Sequence, residues 1–135
     1  MRIRDVVDVV GFCIGGAMGY LFGPCDVLLR ALLIFIVLDV AFGLVSAFVG
    51  KSKHSASGKI SSVAMGEGLA KKAAELGMVI VGNVLDMVTG MSVVRAGVCV
   101  ALIVNECISI TETASILGVI DIPVINDALD ALKKE

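Results

Sequence analysis

Apolar positions in this chain fall into four long runs separated by short polar breaks. The runs cover Val6 to Phe22, Val27 to Val49, Ala73 to Val88 and Val93 to Ile110. A helix of about 20 predominantly apolar residues, rising 1.5 Å per residue, crosses a hydrocarbon core roughly 30 Å thick. The pattern predicts an all-α membrane protein with four transmembrane helices over about 6–22, 27–49, 72–89 and 93–111. The second run fits best, with no Lys or Arg between Arg30 and Lys51. The first is short and glycine-rich and carries Asp8. Three crossings plus a re-entrant or interfacial first helix is therefore the alternative.

The breaks have turn chemistry. Gly23-Pro24-Cys25-Asp26 and Thr89-Gly90-Met91-Ser92 are tight turns. Residues 50–70, rich in Ser, Gly and Lys, read as a flexible polar loop. Beyond Gly118 the tail, 119–135, has Pro123 at a helix start and Ile125, Ala128, Leu129 and Leu132 at helical spacing. Asp127 and Asp130 precede Lys133 and Lys134, in keeping with the helix dipole. This predicts a short amphipathic helix at the membrane surface, the last part of a single domain spanning 1–135.

Basic residues orient the spans. With four crossings, Arg2, Arg4, Lys51, Lys53, Lys59, Lys71, Lys72, Lys133 and Lys134 share one side, nine of the eleven basic residues. Arg30 and Arg95 lie on the other. The positive-inside rule then puts both termini and the 50–70 loop in the cytoplasm of a bacterial inner-membrane protein, with Lys51, Lys53, Lys59, Lys71 and Lys72 as anchors. Lys71 and Lys72 are expected to snorkel from the end of the third span.

Composition agrees with lipid as the solvent. Hydrophobic residues make up 58% of the 135, charged residues 18%, and the mean hydropathy is +1.01. Soluble domains average about 45–50% apolar and 25% charged. Net charge is −2 and there is no Trp, so neither a basic field nor a stacking platform calls for nucleic acid. Cys13, Cys25, Cys99 and Cys107 lack paired spacing and read as small buried hydrophobes. His54 stands alone in the polar loop. No cleavable leader, catalytic set, phosphate loop or metal cluster emerges, so the expectation is a protein without enzymatic activity and without cofactor or metal.

Two constellations carry chemistry. Gly11, Gly15, Gly19 and Gly23 recur every four residues, a small-residue face of the kind that lets membrane helices approach closely, within one subunit or between subunits. The second is the set of ionisable residues inside the runs, each costing about 2.5–3.5 kcal/mol at a helix centre. Asp26, Arg30, Asp86 and Arg95 lie near the outer helix ends, where ion pairs are expected. Asp39 lies about twelve residues from the outer start of its span and Glu106 about thirteen from that of its own, so they share a depth. No Lys or Arg is expected beside them; protonation, water or a neighbouring subunit would have to accommodate them. Glu75 lies nearer the cytoplasmic end. Glu75 and Asp86, like Arg95 and Glu106, are eleven apart and so share a helix face. With Asn105, Leu102, Ser109 and Thr113 these residues form a stripe that either lines an aqueous lesion or glues the interior.

At these residues the chain resembles the toxin-secretion/phage-lysis holin family. The stretch "ALLIFIVLDVAFGLVSA" from Ala31 to Ala47, "GLAKKAAELGMVIVGNVLD" from Gly68 to Asp86, and "NECISITETASILGVIDIPVINDALDALKK" from Asn105 match its recurring motifs in order. Asp39, Gly43, Lys71, Lys72, Asp86, Asn105 and Glu106 fall on recurring positions. Cys107 replaces a common glycine and Thr113 a common asparagine. The resemblance implies a holin that oligomerises in the cytoplasmic membrane and forms lesions releasing endolysin, for host lysis, or a toxin. Its partners would be the lipid bilayer, further copies of the chain and the released protein. A small ion or proton channel, a transporter subunit, and a non-permeabilising antiholin or scaffold are the alternatives.

Overall fold

The structure, a computed structural model, describes residues 2–121 and 123–132. It is all-helical, with no strand among the described residues. Among the described residues five helices follow one another: α1 (Ile3–Phe22), α2 (Val27–Phe48), α3 (Ser62–Thr89), α4 (Val94–Ile116) and α5 (Pro123–Leu132).

Local chemistry sets their ends. The Asp26 side chain accepts from the Leu29 N–H at the start of α2, and Ser61 accepts from Ala64 N–H at the start of α3. Both are preferred N-cap residues. Gly90 ends α3 in the left-handed region at φ 69°, where glycine has no Cβ penalty. Helix α3 begins at Ser62, well inside the stretch expected to be loop through residue 70. The Ser61 cap and the helix-favouring residues Ala64, Met65, Leu69 and Ala70 account for the extension.

Helix α4 is the hub. It packs against α2 and α3 and touches α5, whereas α1 packs chiefly on α3 and is reached from α4 at its last residue, Phe22. Helices α3 and α4 form an antiparallel hairpin. Helices α2 and α4 run parallel, since Arg95 at the start of α4 bonds Asp26 at the start of α2 and the two helices meet again through Asp39 and Glu106.

The distribution of polarity is inverted relative to a soluble domain. Helix α3 buries Lys72, Glu75, Asn83 and Asp86, together with Val79 and Gly82. Helix α4 buries Arg95, Cys99, Glu106, Thr113 and Ala114. Meanwhile Val37, Val88 and Phe12 are 66, 78 and 82% exposed, against 0% for Glu106. The enclosed apolar core is small: Leu29, Leu32, Ile36, Val79 and Cys99. Apolar side chains facing out over a charged interior are what a hydrocarbon solvent selects.

Helices α1, α2 and α4 are each long and apolar enough to cross a membrane. Helix α3 is not among them, because its apolar part carries Lys72, Glu75 and Asp86. The weak member is thus the third run and not the first. Helix α1 is one unbroken helix of 20 residues. The α5 side chains of Ile125, Ala128, Leu129 and Leu132, and Lys133 and Lys134 altogether, lie outside the described residues. Asp127 and Asp130 are exposed.

Candidate functional site

The buried faces of α2, α3 and α4 converge on a single ammonium group. Lys72 Nζ lies 2.8 Å from Asp39 Oδ2 on α2 and 3.5 Å from Glu75 Oε2 on its own helix, and it donates a short hydrogen bond to Glu106 Oε2 on α4. The positions follow from helix geometry. Lys72 and Glu75 are three apart and lie one above the other. Asp39 continues the buried α2 row of Leu29, Leu32 and Ile36 at three- and four-residue spacing. At the rim, Lys71 Nζ stands 3.9 Å from Glu75 Oε1, and Asn105 Nδ2 makes a long contact of 3.5 Å to the same oxygen.

This corrects two expectations. Asp39 and Glu106 are not without a cation, and Lys72 does not snorkel: it is 9% exposed and turns inward. The reason is the choice of face. Residue 72 falls on the same side of α3 as Glu75, Val79 and Asp86, so it points at α4, while Lys71, one residue earlier, points out and is exposed. Glu75 also joins the Glu106 level instead of lying apart from it.

About eleven residues away along α4, roughly 16 Å, a second cluster ties the outer ends. Arg95 Nη1 donates to Asp26 Oδ2 at 2.9 Å and Nη2 to Asp26 Oδ1 at 3.2 Å, the bidentate geometry that suits a guanidinium. The same side chain donates to the carbonyl oxygens of Phe22 at 2.6 Å and Pro24 at 2.7 Å. It thereby clamps the α1–α2 turn onto α4. The Arg95 hydrogen bond, with a second from the Leu29 N–H, holds the Asp26 carboxyl down to about 2. Two other members differ from expectation. Asp86 does not pair with a cation side chain; it accepts from the backbone N–H groups of Val94 and Arg95 at 3.0 and 2.9 Å. It therefore caps α4, whose own N-cap, Val93, has no side chain for the task. Arg30 reaches only the Asp26 carbonyl, at 3.4 Å, because Arg95 already occupies the carboxylate.

Sequence reasoning missed Asn83 and the loop clasp. Asn83 Nδ2 donates to the carbonyls of Tyr20 and Leu21 at 3.0 Å each, satisfying the last turn of α1. A lone amide within an apolar run was the available signal. Lys53 Nζ bonds Glu112 Oε2 at 3.0 Å and Ser109 Oγ at 3.2 Å, folding the loop back onto α4. Of the other loop lysines, Lys51 and Lys59 are exposed. His54, Lys59, Gly43 and Lys72 line a cavity of about 160 Å³ under that loop.

The glycines divide. A Cβ built at Gly11, Gly15, Gly19 or Gly43 would meet nothing within 4 Å, so the α1 ladder has no partner inside the chain. Gly23, at φ 77°, is different: a Cβ there would lie 2.6 Å from Asn83 Oδ1. All four cysteines are free, and only Cys99 is buried; Cys13 and Cys25 face outward. The expected burial fails for those two because α1 and its following turn have so few neighbours.

Taken together, the helices define a multi-pass membrane protein in which α3 and α4 turn Lys72, Glu75, Asp86, Arg95 and Glu106 inward. The chain belongs to the bacteriophage holin family, which matches residues 16–134. An uncharacterized protein of Listeria innocua is 34% identical over 119 residues, covering 87% of this chain and 79% of its own. An uncharacterized protein of Listeria monocytogenes matches with the same identity and coverage. No solved structure matches.

Proposed function

We propose that this protein is a holin that oligomerises in the bacterial cytoplasmic membrane and opens lesions through which endolysin, or a toxin, leaves the cell. The observation that carries the reading, beyond family membership, is α1. It is long and apolar enough to span a bilayer, none of its residues is buried, and its Gly11, Gly15 and Gly19 face is vacant. Small-residue faces drive helix association in lipid by close backbone approach. Further copies of the chain are the partners this reading assigns to that face.

In the same reading α3 is the fourth crossing. Its charges are compatible with that role because each has a partner inside the bundle: Lys72 and Glu75 contact one another in the central cluster, and Asp86 accepts from the α4 backbone. Both termini and the lysine-bearing loop then face the cytoplasm, and the central cluster supplies polar groups for a lesion wall when helices reassemble.

The test is inducible expression in a bacterial host with a potential-sensitive dye and reporters of graded size. A holin collapses the potential abruptly, releases folded enzymes, and lyses cells once a muralytic enzyme is co-expressed. Selective conductance without enzyme release would instead establish a small channel. Protection without permeabilisation would establish an antiholin.

A further inference from the structure

The central cluster contains three carboxyl groups, Asp39, Glu75 and Glu106, and one enclosed cation, Lys72. Lys71 adds a second positive charge at the exposed rim, on the Glu75 side. Ionised throughout, the set therefore has one negative charge too many even after both lysines are counted. The excess has an address. Glu106 Oε1 and Glu75 Oε2 are both buried and have no hydrogen-bond partner, with Glu106 0% and Glu75 7% exposed. Buried polar atoms without partners are rare and require an explanation. These two belong to carboxyl groups that share the Lys72 ammonium, Glu75 Oε2 lying 3.5 Å from it and Glu106 Oε2 accepting its short hydrogen bond, so they are brought together across the α3–α4 interface. Closely apposed carboxyls resolve such a conflict by sharing one proton.

We propose that Glu75 and Glu106 form a proton-binding site that holds one proton at neutral pH, as a carboxylic acid–carboxylate pair bridging α3 and α4. The bound proton turns one orphaned oxygen into a donor and balances the charge. Asp39 is excluded as the carrier because it pairs with Lys72 at 2.8 Å and has no buried oxygen left without a partner. The groups facing the pair are Asp39 from α2, Lys71 and Lys72 from α3, and Asn105 from α4. Lys53 and His54 approach from the loop, and Glu112 lies beyond them. An open pocket between the loop and α4, lined by Lys53, Lys71, Asn105 and Glu112, lies on the Glu75 side of the cluster, where Lys71 and Asn105 contact Glu75. Losing the proton sets two carboxylates against each other at the contact joining α3 to α4, so occupancy of the site controls how firmly α4 is held.

The test is infrared spectroscopy of the full-length protein in lipid nanodiscs, following the carbonyl stretch of protonated carboxylic acid and its shift in heavy water. The expected result is a protonated-carboxyl band equivalent to one group per chain at neutral pH. The band disappears on alkalinisation, is absent from both E75Q and E106Q, and persists in D39N. Absence of the band from the wild type at neutral pH, or its survival in both glutamine variants, overturns the proposal. The wild-type titration decides the matter even if a variant fails to fold. The readout requires no lesion, so its outcome is independent of the holin reading.

Discussion

Replacing Lys72 by Met removes the enclosed cation that Asp39, Glu75 and Glu106 share while keeping most of the side-chain volume. At an effective dielectric constant of about 20, a charge pair 2.8 Å apart, the Lys72–Asp39 distance, interacts by about 6 kcal/mol. Desolvation of the ammonium offsets several kcal/mol of that. Glu106, which is fully enclosed, and Asp39 are then left without their cation, and stranding the partner of a buried pair costs roughly 3–5 kcal/mol. A loss of that size at pH 7 shifts the folding equilibrium by about two to three and a half orders of magnitude. Equilibrium unfolding of K72M in mixed micelles measures it directly. Two controls follow from the geometry. K72R keeps the charge and is expected to lose less, and adding E106Q to K72M is expected to recover part of the loss by removing one stranded charge. Acidification is also expected to shrink the K72M deficit, since protons neutralise the abandoned carboxylates. A deficit under about 1 kcal/mol at pH 7, or one that grows as pH falls, would refute the view that this cluster joins α2, α3 and α4.

Other outcomes follow from the same contacts. Gly82→Val places bulk where even a Cβ lies 3.0 Å from the Arg95 Cα, and overpacking of this kind costs about 1–3 kcal/mol; the same unfolding titration reads it. Arg95→Gln gives up the bidentate pair with Asp26 and the clamp on Phe22 and Pro24, a loss of at least about 2 kcal/mol, with protease nicking of the α1–α2 turn as a second readout. Asp26 has a folded-state value of about 2 against an ordinary 3.8, so its contribution to stability is present above pH 3.8 and is lost as pH falls towards 2. In Asp26→Asn that part of the acid limb flattens, which acid titration of the unfolding midpoint checks. A Cβ at the exposed Gly15 on α1 meets nothing within 4 Å, so in Gly15→Leu stability stays within about 0.5 kcal/mol of the wild type while the onset of permeabilisation in induced cells is delayed.

Legibility differed between layers of this molecule. Helix positions were readable because hydrocarbon imposes a length, and α1, α2 and α4 meet it almost residue for residue. The common level of Asp39 and Glu106 was readable from counting rise along parallel helices. Lys72 was not, because a lysine near a span end snorkels or turns inward according to which face it occupies, and the face is fixed by the α3–α4 crossing. Asp86 looked like half of an ion pair, yet it caps α4 because Val93 at the helix start cannot. Asn83 was overlooked because an amide in an apolar run has no periodicity to announce its partner, the α1 carbonyls sixty residues earlier. In each case the residue type signalled a buried polar group, whereas the partner depended on packing that a one-dimensional pattern does not contain.

The account rests on polarity being turned inward and apolar surface outward to lipid. Spin labels placed singly at Val37, Val88 and Val104, in a variant with all four cysteines replaced and reconstituted in lipid bilayers, test this most directly. The account predicts labels readily relaxed by membrane-dissolved oxygen and shielded from a water-soluble nickel reagent at all three sites. Efficient relaxation by the nickel reagent at these positions, with oxygen access low, would contradict it.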